Sequence, residues 1–326
     1  MGWIYMVAVD MALEELKVYK PELTKQEDFD AFWEGSLKES KKYPLNSERV
    51  LYSYPIEEIK VFDIFYDGFK GGRINGWLIL PEGADKNRKM PALVYYHGYT
   101  RNKGFVQDYL KWLVQGFAVL AVDVRGQGGA TGDPALYGQG GVPGWMTRGI
   151  LDKNRYYYRN VYLDCIRAID FLSEQEEIDT DRIGTYGVSQ GGGLSVAVAA
   201  LDGRPKFTMP VYPYLCNFER AVEFSQEGPY GEISDYFRQF DPEMRTGREV
   251  FNTLSYFDGM NLAPRIKCPV FMGITLMDRI CPPSTMFAAY NHMGGEKELR
   301  IYHYHGHEAL PFHEEAMIQF VRKHFR

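Results

Sequence analysis

Cysteine is scarce in this chain of 326 residues: Cys165, Cys216, Cys268 and Cys281 are scattered and form no Cys-x-x-Cys pair. A disulfide framework and a zinc-ribbon spacing are thereby excluded, and the four read as reduced, mostly buried thiols of a cytoplasmic protein. Basic excess is lacking too: 37 Lys and Arg stand against 43 Asp and Glu, a net charge of −6, and no long Lys/Arg cluster occurs. Nucleic-acid and anionic-membrane binding both need a basic footprint, so neither is expected. Nor is there a long hydrophobic run. Gly2 to Val9 is apolar, but it lacks a basic n-region and runs into Asp10 and Glu14-Glu15. That makes a poor signal peptide and too short a span for a bilayer. Internal repeats and low-complexity tracts do not occur.

What is present suits one large α/β domain with additions, or two small domains, since 45% of residues are hydrophobic and only 25% charged. Aromatic residues are plentiful, with 24 Tyr and 20 Phe. They fit aromatic-lined pockets, carbohydrate stacking or subunit interfaces, and composition does not choose among these. Residues 12–43 carry helical periodicity, with Leu13, Leu16, Phe29, Phe32, Trp33 and Leu37 among charges and Pro21 as a break. Residues 49–80 predict two or three antiparallel strands with a turn near Gly71-Gly72. From Pro91 onward strands and helices alternate. Strands are predicted at Ala92–Tyr96, Ala118–Val122, Ile183–Gly187, Phe207–Tyr212, Val270–Thr275 and Leu299–Tyr304, and helices at Tyr158–Ser173, Met286–His292 and Glu314–His324. Such alternation implies a mostly parallel sheet with helices on both faces. Leu215 to Leu262 is too long for an ordinary crossover and reads as a helical insertion over the C-terminal edge of the sheet, a lid or pocket wall. The expected layout is an N-terminal helical extension over 1–48 and an α/β domain over 49–326 with the insertion at 215–262.

Gly187-Val188-Ser189-Gln190-Gly191 stands between a strand pattern (Arg182–Val188) and a small-residue helix pattern (Gln190–Leu201). A Gly-x-Ser-x-Gly in that setting is the nucleophile elbow of the α/β-hydrolase fold, where flanking glycines let the chain turn tightly and expose the serine hydroxyl. The alternative is a Gly-rich turn with an incidental serine. A hydroxyl nucleophile needs a base, and the base an orienting carboxylate, in the chain order serine, acid, histidine. Asp278 follows the strand Val270–Thr275, and His307 follows the last strand, so both fall in order at strand ends. Asp123 also ends a strand but precedes the serine; pairing with Arg125 or capping a loop suits it better. His305 competes with His307 as the base, and His303 is expected to point into the sheet's flanks. The His303-x-His305-x-His307 run invites a metal reading, yet no partner cluster accompanies it, and no metal or other cofactor is expected. Two backbone N–H groups must meet the developing oxyanion. Gln190 supplies one; the other belongs after Ala92–Tyr96, where His97-Gly98-Tyr99 puts Tyr99 in place. A plain turn with a buried His97 is the other reading.

With Arg125-Gly126-Gln127, the elbow with Gln190, and His307-Glu308 in hand, the chain resembles the acetyl xylan esterase/cephalosporin-C deacetylase family, carbohydrate esterase family seven. Its RGQ, GxSQG and HE motifs occur here in order. The segments 146–152, 156–159, 254–259 and 281–285 are similar to it as well, and the likeness covers nearly the whole chain after the first ten residues. The resemblance implies an α/β-hydrolase that deacetylates small esters, with Ser189, His307 and Asp278 as nucleophile, base and acid and the amides of Tyr99 and Gln190 as oxyanion hole. It implies Arg125 and Gln127 as structural supports, a ring-like homo-hexamer (a dimer of trimers), and small acetylated substrates such as xylo-oligosaccharides and cephalosporin C. Pro229 and Tyr230 are candidates for crowding the acyl pocket. The chain departs from the family's pattern in the short Gly128–Pro143 segment, the polar Tyr99–Lys103 loop and Ala309-Leu310-Pro311. Two competing readings are a peptidase of the prolyl-oligopeptidase type, against which no propeller pattern is seen, and a non-catalytic binding protein, against which the complete triad stands.

Overall fold

Apolar runs four to eight residues long, separated by turns, become strands buried on both faces. In the computed structural model, which describes residues 9–138, 141–225 and 227–325, nine strands join in one sheet. They are β1 (Glu48–Tyr52), β2 (Ile59–Asp67), β3 (Arg73–Pro81), β4 (Met90–Tyr96), β5 (Ala118–Val122), β6 (Ile178–Val188), β7 (Phe207–Val211), β8 (Val270–Thr275) and β9 (Lys297–Tyr302). The order across the sheet is β1-β2-β3-β5-β4-β6-β7-β8-β9. The first three strands and the β3–β5 pair are antiparallel, and every pair from β5 to β9 is parallel. All residues of β5, β7 and β8 are buried, as parallel strands covered on both faces require. β1 is exposed throughout at the sheet edge.

The helices are α1 (Leu13–Val18), α2 (Phe29–Ser40), α3 (Leu110–Leu113), α4 (Tyr157–Ser173), α5 (Gln190–Leu201), α6 (Phe218–Phe224), α7 (Gly231–Phe240), α8 (Gly247–Ser255), α9 (Gly259–Leu262), α10 (Pro283–His292) and α11 (Pro311–His324). Successive strand residues face opposite sides, which sorts the helices. Tyr96 donates its hydroxyl to the Cys165 carbonyl of α4 at 2.9 Å, whereas Tyr95 stacks with Tyr186, whose hydroxyl accepts from Trp112 of α3 at 3.0 Å. So α4 covers one face and α3 the other. α11 packs through Phe320 on Phe271 and Phe207. In the N-terminal segment the break around Pro21 separates α1 from α2. Trp33 of α2 is wholly buried, stacks on Tyr162 and donates to the Tyr256 carbonyl at 2.9 Å.

Several boundaries differ from expectation. β6 begins at Ile178, earlier than Ile183, because Met90 and Ile178 pair across a register shift. β7 stops at Val211, since Tyr212 takes φ +31° and leaves the ladder. β9 runs Lys297–Tyr302, and the chain turns at His303 and Tyr304, so His303 is exposed and off the sheet's flank. Between β7 and β8 stand α6, α7, α8 and α9. Asp258 anchors this stretch by accepting from the amides of Asn217, Phe218 and Met260 at 2.6–2.9 Å.

One buried ion pair ties the loop after β5 to α4. The Arg125 guanidinium, wholly buried, makes two hydrogen bonds to the Asp164 carboxylate and one of 2.7 Å to the Phe69 carbonyl, while Asp164 accepts from the Phe69 amide. A Cβ on Gly68 would lie 2.3 Å from Asp164, and one on Gly72 2.5 Å from Arg125, so the turn at Gly68–Gly72 closes over the pair only with glycine. We expect Arg125→Met to destabilise the fold by about 3–5 kcal/mol, because the Asp164 charge is left uncompensated. Arg125→Met/Asp164→Leu should recover part of that loss in urea unfolding. His313 provides a second test. Its ring is buried against Phe271 at 4.9 Å with Nε2 unpartnered, and burial, helped by Arg300, pushes its pKa down to about 4. The unfolded chain therefore binds a proton between pH 6.5 and 4 that the native state refuses. Stability is retained above 6.5 and lost as pH falls through that window. His313→Phe should flatten the stability–pH curve there by about one proton, or about 1.4 kcal/mol per pH unit.

Candidate active site

The parallel strands end along one edge, and their loops deliver the site. Ser189 sits between β6 and α5 at φ +58°, ψ −119°, a conformation an L residue adopts only when its surroundings impose it. Here its backbone is held on three sides: its N–H donates to the Val211 carbonyl, and its carbonyl accepts from Gly193 and Tyr214, each at 3.0 Å. A Cβ on Gly187 would lie 2.4 Å from the Gly191 carbonyl, and one on Gly191 1.8 Å from the Tyr96 oxygen. Only glycine lets β4, β6 and α5 approach this closely.

Two strand ends further along, the loops after β8 and β9 are laced together. Leu276 N–H donates to the Tyr302 carbonyl and Met277 N–H to that of His305, each at 3.0 Å. This sets Asp278 beneath His307. Asp278 is wholly buried, and its Oδ1 accepts from the amides of Ile280 and Cys281 at 2.8 Å. Its Oδ2 lies 2.8 Å from His307 Nδ1, and His307 Nε2 lies 2.9 Å from Ser189 Oγ. Ser189, His307 and Asp278 thus meet in one continuous relay. Neither His305 nor Asp123 joins it: Asp123 caps a loop by accepting from the Lys103 and Ala130 amides, and it does not pair with Arg125.

Tyr99 and Gln190 flank the serine. Gln190 opens α5, where the first amides of a helix have no intrahelical partner. A Cβ on Gly98 would lie 3.9 Å from the Ser189 Cβ, so the Gly98–Tyr99 peptide borders the serine. His97 is buried between Gly98 O, 2.7 Å from Nδ1, and the Val124 amide, which donates to Nε2 at 2.9 Å. Nδ1 therefore carries the proton, and burial holds the pKa below the ordinary histidine value. Gln127 joins the two flanks. Its Oε1 accepts from Thr100 N–H and Gln190 Nε2 at 3.1 Å, and its Nε2 donates to Gln190 Oε1 at 2.9 Å. Tyr157 and Tyr158 complete the cluster of buried amides and phenols. Of the two basic residues in the Tyr99–Lys103 loop, Lys103 pairs with Asp63 at 3.1 Å over the Trp77 ring, while Arg101 is exposed and lines the cavity at Ser189.

A cavity of about 990 Å³ opens onto Ser189 and His307, with Tyr99, Tyr212, Pro229, Glu232 and Ile280 among its walls. Pro229 is on that wall. Tyr230 is not: it is wholly buried behind it, its ring tilted against Tyr214 with centroids 4.2 Å apart and its hydroxyl donating to the Cys216 carbonyl. The short turn Gly228–Tyr230 rotates consecutive residues to opposite sides, and Ile280 takes the place expected of Tyr230. Glu232 was not legible as a site residue because its partners, Tyr99 and Met146, are 133 and 86 positions away. Ligand atoms of Asp278, Cys281 and His307 lie within 4.8 Å of one another, a grouping that could hold a metal. Asp278 Oδ2 and both His307 nitrogens are already engaged in the relay and Asp278 Oδ1 by two backbone amides, and burial pushes the Cys281 thiol up, away from the thiolate a metal would need.

A family model described as acetyl xylan esterase (AXE1) matches residues 6–324. Among solved structures, the acetyl xylan esterase from Paenibacillus sp. R4 is 54% identical with a TM-score of 0.95, covering 97% of this chain and 100% of that one. Acetyl xylan esterase 1 from Thermoanaerobacterium sp. JW/SL YS485 is 36% identical with a TM-score of 0.92 and the same coverage. The curated acetyl esterase Axe7A of Xylanibacter ruminicola is 28% identical over 297 residues, 86% of this chain, and the chain spans 63% of that relative's length.

The glutamine pair makes a testable claim without reference to any substrate. Gln127→Leu is expected to slow covalent labelling of Ser189 by a fluorophosphonate by roughly ten- to a hundred-fold, since the Tyr99 and Gln190 flanks of the serine lose their common tie. The rate is read by intact-mass spectrometry at a temperature where circular dichroism shows both proteins folded. An unchanged rate would mean the link between the two flanks of Ser189 has no part in its reactivity.

Proposed function

The chain belongs to the acetyl xylan esterase family, and from that premise we propose that it is a serine esterase removing acetyl groups from small esters, acetylated xylo-oligosaccharides and cephalosporin C among them. The observation that carries this reading is the relay from Asp278 through His307 to Ser189, at 2.8 and 2.9 Å. His307 Nε2 takes the Ser189 proton as Oγ attacks the acetyl carbonyl, and Asp278 holds the ring in the tautomer that presents Nε2. The carbonyl oxygen turns toward the amides of Tyr99 and Gln190 as charge develops, the latter at the N-terminus of a twelve-residue helix whose dipole favours an anion. The imidazolium then protonates the departing alcohol. Water then attacks the acyl carbonyl as His307 takes its proton, the Oγ–acyl bond breaks to release acetate, and His307 returns the proton to Ser189 Oγ.

Acyl length is limited on the wall where Gly228 approaches Ile280: a Cβ there would meet its side chain at 3.1 Å, with Pro229 alongside. Space elsewhere in the cavity receives the alcohol. Among the described residues no helix is long and apolar enough to cross a membrane. The family resemblance adds to the proposal a homo-hexamer in the cytoplasm, with active sites reached by short substrates.

Hydrolysis of 4-nitrophenyl esters from acetate to octanoate tests the reading. Acetate should be strongly preferred, and Ser189→Ala should lose at least about 10³-fold in kcat while melting like the wild type. Activity that survives the substitution, or a preference for octanoate, would overturn it.

A further inference from the structure

We propose that Glu232 is a positioning residue of this site, a tether from the helical stretch between β7 and β8 that fixes the Tyr99 amide in register with the acyl wall. The inference rests on the esterase reading above. Glu232 belongs to α7 and lines the cavity without reaching Ser189 or His307. Its Oε1 accepts the Tyr99 hydroxyl at 2.6 Å, and its Oε2 accepts the Met146 amide at 3.0 Å. The Tyr99 oxygen in turn accepts the Trp145 amide at 2.8 Å, and the Trp145 ring stands edge-on to Tyr99 at 5.1 Å. Two chain segments, the Tyr99 loop and Trp145-Met146, therefore converge on one half-buried carboxylate of a third, α7. Gly144 is shaped to admit it: a Cβ there would lie 2.2 Å from the carboxylate, and its φ is +114°. Burial alone raises the Glu232 pKa, and the hydrogen bonds from Tyr99, Met146 and Trp145 oppose that rise.

Such a tether is needed because of the backbone next to Tyr99. Thr100, β-branched, sits at φ +64°, a conformation that relaxes unless held. Its amide is held by Gln127, and the Gly98 carbonyl by His97 and the Arg101 amide. Those bonds shape the loop from His97 to Arg101 and the strand ends beneath it. The Tyr99 ring projects out of that loop, and Glu232 grips its tip from another part of the chain. Gly228 and Pro229, a few residues before Glu232, form the acyl wall against Ile280. One short segment thus sets both where the acetyl methyl stops and where its carbonyl oxygen meets an N–H.

An oxyanion amide acts in the transition state, so its displacement lowers kcat more than it raises KM. Glu232→Ala is expected to reduce kcat for 4-nitrophenyl acetate by roughly ten- to a hundred-fold with KM within about three-fold. 4-Nitrophenyl butyrate should fall by a similar factor. Glu232→Gln, which keeps an acceptor for the Tyr99 hydroxyl, should restore most of the loss. Tyr99→Phe removes the same bond from the other side and should match Glu232→Ala, and the double variant should fall no further. If Glu232→Ala does not fold, the Tyr99→Phe and Glu232→Gln pair decides the question. A wild-type kcat in the variants, a change in KM alone, a shift in acyl preference, or additive losses would each overturn the tether. Those outcomes leave Ser189-dependent hydrolysis by the wild type intact, and its absence would instead remove the esterase reading and the tether together.

Discussion

The close approach of β4, β6 and the first turn of α5 is the constraint on which the site depends. At that crossing Gly187 and Gly191 bring three stretches of backbone within distances that no Cβ permits, and the chain must bend sharply between them. The bend holds Ser189 at φ +58° with its hydroxyl clear of the sheet edge. The cost of that conformation, of order 1–3 kcal/mol, is met by three backbone hydrogen bonds to Ser189 and by a wholly buried helix packed behind it. Release any of these neighbours and the hydroxyl moves away from His307, so the packing of the core and the chemistry of the serine are one problem.

Around the elbow, polar groups are buried in pairs that satisfy each other. Arg125 and Asp164 neutralise one another under the Gly68–Gly72 turn, and this places the following Gln127 against Gln190. The two carboxamides exchange hydrogen bonds and so connect the loop after β4 to the N-terminus of α5 through a link that itself carries no charge. In the proposed reaction that neutrality has electrostatic sense, since a fixed carboxylate at Gln127 would oppose negative charge on the reacting oxygen. Glu232, one of the carboxylates that line the cavity, has its oxygens directed to a phenol and a backbone amide. His97 is likewise kept neutral by accepting from Val124.

Much of this was legible in the sequence, for reasons particular to each element. β5 and β8 were readable to the residue because a parallel strand covered on both faces is a continuous apolar run with no ambiguity of phase. β9 was misplaced by two positions because it is partly exposed and its apolar pattern runs on past Tyr302 into His303 and Tyr304. Ser189, Asp278 and His307 stand out because each follows a strand at the same sheet edge, a periodic signal that the backbone itself imposes. Pro229 and Tyr230 could not be separated in the same way. A single-turn helix sends neighbours to opposite sides, and which side meets the cavity is set by Tyr214 and Ile280 from other segments.

The sequence by itself determined the order of strands and helices along the chain, the position of the elbow glycines and the placement of Ser189, Asp278 and His307 after strand ends. These are local properties: hydrophobic period, the missing Cβ of glycine, and the chain order of serine, acid and histidine. Only the tertiary structure decided that His307, and not His305, faces Ser189, because a hydrogen bond from Met277 to the His305 carbonyl fixes the rotation of that loop. It alone joined Gln127 to Gln190 and Glu232 to Tyr99, across 63 and 133 positions. Hydrogen bonds of that span leave no periodic trace in the chain, since their geometry comes from how whole strands and loops are packed rather than from any spacing along them.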